Sequence, residues 1–135
     1  MIPNGHITIY NLYYVSRAET YQRTVIKNVV WQATKGVNGR STGVLASNIA
    51  LVLIPFQRGD NYLDPKEWQA QTSKTGYWTL QEGDVIVRGE LTQEISTLYT
   101  ISDLKRNYDN VVTITSIDAM DQGSPNVQHW EVGCK

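Results

Sequence analysis

Cysteine occurs once in these 135 residues, phenylalanine once and methionine twice. A lone thiol closes no internal bridge, so a disulfide-framed secreted scaffold is excluded. The longest apolar run, IALVLIPF at 49–56, falls far short of the roughly 20 residues of a membrane-spanning helix. The opening MIPNGHITIY has neither a basic n-region nor a continuous apolar stretch. It does not read as a signal peptide, and with no Asn-x-Ser/Thr acceptor in the chain, synthesis in the cytoplasm is expected. Motifs that carry chemistry are missing as well. There is no phosphate-cradling GxxxxGK(S/T), no GxSxG elbow, no HExxH and no CxxC.

What remains is a chain suited to strands. A hydrophobic share of 41% with 19% charged residues fits a globular protein, and the length fits one domain, residues 1–135. Val, Ile and Thr total 37 against 15 for Ala and Leu. Branched side chains lose rotamers in helices and fit a pleated surface. The expected fold is therefore mainly β, a small barrel or sandwich with one or two short helices. Alternation predicts a strand at 6–13, with Ile7 and Ile9 on one face and Thr8, Tyr10 and Leu12 on the other. A longer β run at 21–34 contains Asn28, which marks a bulge or bend. The apolar run 48–56 reads as a fully buried strand. Segment 77–90 reads as strand, QEGD turn, strand; 111–118 is a strand, and the closing segment pairs back onto it as a hairpin. Helical turns are predicted over 65–70, with Asp64 as cap, Pro65 first in the helix and Glu67 completing a capping box. A second short helix is predicted over 101–109, capped by Ser102, with Leu104 and Tyr108 on one face. KGVNGRSTG carries three glycines and marks a flexible loop at about 35–48.

Residues 124–135, SPNVQHWEVGCK, gather the only cysteine, one of two histidines and one of four tryptophans. His129 and Cys134 are separated by an odd number of residues, so a strand sends them to opposite faces and neither a metal pair nor a Cys–His nucleophile results. Trp130, Val132 and Cys134 read as core, with Val127, His129 and Glu131 on the other face. The acidic pairs Asp60 with Asp64 and Glu82 with Asp84 lie near turns, without a histidine close in sequence. No catalytic, cofactor-binding or metal-ligating residue is assigned, and an enzyme is not expected. Arg58-Gly59-Asp60 reads as a turn after the 48–56 strand. Net charge is −1, but residues 1–59 carry +5 and the remainder −6. The candidate partner contacts follow that asymmetry: Lys35, Asn38, Gly39 and Arg40 in the glycine-rich loop, and Asp118 and Asp121 near the last hairpin. Tyr21 with Arg23, and Trp31 with Lys35, are aromatic–basic neighbours. They sustain an alternative, a small β-barrel binding single-stranded nucleic acid or carbohydrate.

The order of the segments carries a resemblance. ITIYN-YY leads to YQRTVIKNVVWQA, then ALVLIPF, YLDPKEW, WTLQEGDVIVRGE, ISDL…YDNVVTITSI and a closing GSPNVQHWEVGCK. Together these are similar to the small minor structural proteins encoded in head–tail gene clusters of tailed bacteriophages and prophages. The layout also resembles head-completion proteins, the stopper or head–tail joining subunits. The likeness runs over nearly the whole chain, through phrases of sequence rather than catalytic signatures. Cys134 stands where a small residue such as glycine is expected in relatives. The resemblance implies a non-enzymatic virion subunit, synthesised in the bacterial cytoplasm, forming a homo-oligomeric ring beneath the portal. Its implied partners are portal or adaptor and tail-side connector proteins, and the isolated subunit is expected to be monomeric. No cofactor and no membrane are implied, and nucleic acid enters only by passage through the ring.

Overall fold

The computed structural model of the chain describes residues 2–33 and 49–135. Six strands form in order: β1 (Gly5–Val15), β2 (Ala18–Ala33), β3 (Ala50–Pro55), β4 (Val85–Arg88), β5 (Val111–Met120) and β6 (His129–Cys134). Each pairs antiparallel with two neighbours, closing a barrel in the order β1-β2-β3-β6-β5-β4. Two short helices, α1 (Pro65–Gln69) and α2 (Ile101–Asn107), lie outside it. The mainly β expectation is met.

Period-two alternation fills the interior. Ile7 and Ile9 of β1, Val52 and Ile54 of β3, Ile114 of β5, and Val132 and Cys134 of β6 belong to one buried cluster. On β2 the phase changes partway. Asn28 adopts φ 61°, a left-handed conformation that asparagine tolerates, and the pairing shifts from Ile7↔Ile26 to Gly5↔Val29. Ile26 faces inward before this bulge, and Val29 and Trp31 do so after it. Asn4 extends the pairing by a side-chain rung. Its amide donates to Trp31 O (3.1 Å), and its Oδ1 accepts from the Trp31 N–H (2.8 Å).

The outer face of β1 and β4 is covered too. Tyr10, Val85, Val87, Leu91 and Leu104 form a second buried cluster, with Tyr21, Ile95 and Tyr99 packed around it. The chain after β4 is fastened to that face by Thr8, whose hydroxyl donates to Gly89 O (2.7 Å) and accepts from the Leu91 N–H (2.9 Å). The Tyr10 hydroxyl donates to Gln93 O (2.7 Å). α2 then lays Leu104 into the cluster.

Three local expectations are corrected. The cap of α2 is Thr100, not Ser102. Its hydroxyl accepts from the Asp103 N–H (3.3 Å), while the Asp103 carboxylate accepts from the Thr100 N–H (2.9 Å). That backbone donor, foremost, holds the Asp103 carboxyl below its ordinary value. In α1, Asp64 occupies the N-cap position but makes no side-chain cap bond, so the capping box does not form. Trp68 anchors this helix instead. It is fully buried, meets Tyr13 edge-on at 5.6 Å, and donates Nε1–H to Tyr77 O (3.2 Å). Finally, 77–80 is not a strand apart from one bridge, Tyr62↔Trp78. The Asn11 side chain bonds the Thr79 backbone, while Trp78 exchanges backbone hydrogen bonds with Asn61 and Leu63.

Candidate functional site

Register defines the two ends of the barrel. Ala33, Ala50 and Cys134 align at one end, as do Pro55, His129 and Met120 at the other. The second is the turn end: both the β1–β2 and the β5–β6 connections lie there. Two layers of side chains close it.

The first layer is aromatic. Trp130 stacks on Phe56 (4.6 Å), Tyr62 (4.6 Å) and Trp78 (5.8 Å) at tilted or edge-on angles. Gly59 is pressed onto this cluster, since a Cβ there would lie 3.1 Å from the Trp130 ring and 2.9 Å from Phe56 O. The central residue of Arg58-Gly59-Asp60 is therefore a packing residue.

The second layer is polar and buried. Asn11 Nδ2 donates to Thr79 O (2.8 Å) and Asp84 Oδ2 (2.9 Å), and its Oδ1 accepts from the Thr79 N–H (3.1 Å). Asp84 also accepts from Gln81 Nε2 (2.7 Å) and from the Leu12 N–H (3.2 Å). All its donors are neutral. Burial pushes the Asp84 carboxyl above its ordinary value, outweighing the hydrogen bonds from Asn11, Gln81 and Leu12 that act the other way. With 2% exposure the carboxyl is out of reach of a substrate and acts as a strut between β1 and β4. Of the two carboxylates in the QEGD turn, the exposed one is Glu82.

Beyond these layers the two hairpins carry charge. Asp118 and Glu131 are directly opposed across β5 and β6, so their side chains share one face. Asp118 is exposed; Glu131 is half-buried and lies 3.5 Å from His129 Nε2. Asp121, exposed, follows β5 immediately. Of the sequence-derived contact residues, Asp118 and Asp121 both lie on the last hairpin, and Glu131 faces Asp118 across it. The pairing of the last two strands was predictable, but its register was not, so Glu131 was missed. Lys35, Asn38, Gly39 and Arg40 lie outside the described residues. Ala33 and Ile49, which bracket that stretch, sit at the end opposite the acidic hairpin; the Ile49 N–H donates to Cys134 O (2.8 Å).

His129 and Cys134 stand at opposite ends of β6. Burial pushes the Cys134 thiol up to about 12. Among the described residues, no three His, Cys, Asp or Glu side chains are placed to hold a metal ion, and no helix is long and apolar enough to cross a membrane. Trp31, Trp68 and Trp78 are buried, Trp130 half-buried, and Arg88 covers the Trp31 ring at 5.7 Å. Arg23 is bound to Glu94 (2.7 Å) and to Leu91 O (2.9 Å). Tyr21, Arg23 and Trp31 are thus used internally, while Lys35 lies outside the described residues.

The fold and its end closures define a closed six-stranded antiparallel barrel with charged hairpins. The chain belongs to a family of unknown function, DUF6751, whose model matches residues 2–135. No curated protein and no solved structure matches it.

Proposed function

We propose that the protein is a non-enzymatic structural subunit of a tailed-phage or prophage virion, a head-completion or minor capsid component between portal-side and tail-side proteins. The observation that supports this reading is the polarity of the barrel. Asp118 faces Glu131 across the β5–β6 hairpin and exposed Asp121 follows β5, so this hairpin at the turn end is acidic. Ala33 and Ile49, which flank the segment whose sequence carries Lys35 and Arg40, sit at the other end. Heterologous contacts, head to tail between unlike patches, need such a difference between two faces of one subunit. Opposed carboxylates within a ladder cost on the order of 0.2–1 kcal/mol, and a cationic partner surface removes that cost. Contacts of this kind steer encounter and fix register, and salt screens them over about 8 Å.

Deleting the gene from a phage or prophage that carries it tests the reading. The expected product is filled heads without joined tails, seen by electron microscopy. A complementing copy with Asp118→Lys and Asp121→Lys is expected to fold normally and fail to restore joining. Infectious, tailed particles from the deletion would overturn the proposal.

A further inference from the structure

The second edge of β2 is paired only from Val30 to Ala33, where β3 runs alongside. From Glu19 to Lys27, β1 borders one edge and, among the described residues, no strand borders the other. Leu12 reveals which backbone groups face outward. Its N–H donates to Asp84, and its C=O accepts from Gln69 (3.0 Å) and Gln81 (3.3 Å), so both point away from β2. Leu12 is opposite Tyr21, which makes this a non-hydrogen-bonded pair. Tyr21, and by alternation Glu19, Arg23, Val25 and Lys27, therefore turn their own N–H and C=O groups away from β1. Among the described residues the only hydrogen bond to these outward groups is a long one, Gln22 Nε2 to Arg23 O (3.4 Å). An open edge of this length, roughly 30 Å, is a template for a further strand.

The geometry points to a second copy of this chain as that strand, paired antiparallel, β2 to β2, about a two-fold axis at Arg23. The side chains choose the occupant. In this register Glu19 of each copy lies opposite Lys27 of the other, and Tyr21 lies opposite Val25, so every contact occurs twice. Opposite charges and aromatic–branched pairs directly across a ladder are the favourable combinations. Arg23 meets its own copy at the axis, but Glu94 neutralises it at 2.7 Å within each subunit. The charges on this edge discourage indiscriminate pairing and are complementary in this alignment.

An open groove of about 240 Å³ fits the same arrangement. Thr24, Val25 and Lys27 form one side of it, and Arg58, Asp60 and Asn61 line it as well. The hairpin tip of the second copy enters there, bringing Glu19 to Lys27 and Arg58, and Arg17 toward Asp60. The contact is isologous and involves β2. It leaves Asp118, on β5 across the barrel, free for other partners. It goes beyond the connector reading, does not depend on it, and replaces the expectation that the isolated subunit is monomeric.

Sedimentation velocity on the purified chain, from low micromolar to about 100 μM, tests the pairing. The wild type is expected to be a monomer–dimer equilibrium that weakens with salt. Glu19→Lys and Lys27→Glu, both at exposed positions, should each raise the dimer Kd by about tenfold or more, since each turns two attractions into repulsions. The double variant Glu19→Lys with Lys27→Glu restores opposite charges across the axis and should return Kd to within a few-fold of wild type. Val25→Pro removes an outward N–H that β1 does not use, and should abolish the dimer while circular dichroism stays β-rich. A wild type that stays monomeric throughout would overturn the proposal. So would a dimer that is indifferent to the single charge reversals, or one that the double variant fails to rescue.

Discussion

Asp84 Oδ1 accepts the Leu12 N–H at 3.2 Å just before β4 begins, so a carboxylate takes the place of a further residue of the neighbouring strand. Gln69 and Gln81 complete the imitation by donating to Leu12 O. The β1 edge, which projects past β4, is thus blunted by side chains at its first unpaired position.

That placement has a pH signature. Because burial raises the Asp84 pKa above its ordinary 3.8, the folded chain binds this proton more tightly than the unfolded chain. The resulting stabilisation is complete below the unfolded value and is lost as pH rises through the folded value. Measured against Asp84→Asn, which cannot titrate, the wild type should gain stability as pH falls from about 7 toward 4, read from urea midpoints at each pH. A difference that stays constant over that range would contradict the raised pKa.

Gly59 is expected to resist even alanine. Its φ of −81° is ordinary, so the obstacle is the Trp130 ring and Phe56 O rather than backbone strain. Gly59→Ala should cost about 1–3 kcal/mol in chemical denaturation, as overpacking does. Arg58→Ala and Asp60→Ala, at exposed positions, should each stay within about 0.5 kcal/mol.

The β1–β2 turn invites stabilisation. Ser16 and Arg17 have φ of 50° and 71°, the two positive angles of a type I′ connection, which neither residue favours. Replacing the pair by Asn-Gly should add about 1 kcal/mol or more, seen as a higher urea midpoint with an unchanged slope.

Cys134 should behave as a core residue. Fully buried, with its thiol pushed up to about 12, it should ignore a thiol reagent at pH 8 until denaturant opens the barrel. By comparison Trp68→Ala, which empties a fully buried site under α1, should cost on the order of 3–5 kcal/mol. Rapid labelling of native Cys134 would mean that β6 detaches readily.

Alternation made the barrel interior legible. Ile7 with Ile9 and Val132 with Cys134 were assigned to the correct face from spacing alone, and Asn28 was placed at the break in β2. The outer cluster around Tyr10 and Leu104 was hidden, because a second buried face leaves the same alternation when its polar members, Thr8 among them, are satisfied by backbone. Segment 77–80 misled for a related reason. Its composition suits a strand, yet Asn11, 68 residues away in sequence, supplies the pairing of Thr79 through one amide. The acidic hairpin was half legible. Asp118 and Asp121 are neighbours in sequence, whereas Glu131 depends on a register that only the folded hairpin sets.

The position of β6 between β3 and β5 has a consequence for how the chain is made. During synthesis β1 to β5 emerge first, and the barrel cannot close until residues 129–134 have left the ribosome. Until then β3 and β5 are both open edges, and Val52, Ile54 and Ile114 lack the Val132 and Cys134 that cover them. Closure brings together strands distant along the chain, a slow class of event. The nascent protein is therefore most exposed to aggregation in the interval just before its last strand arrives.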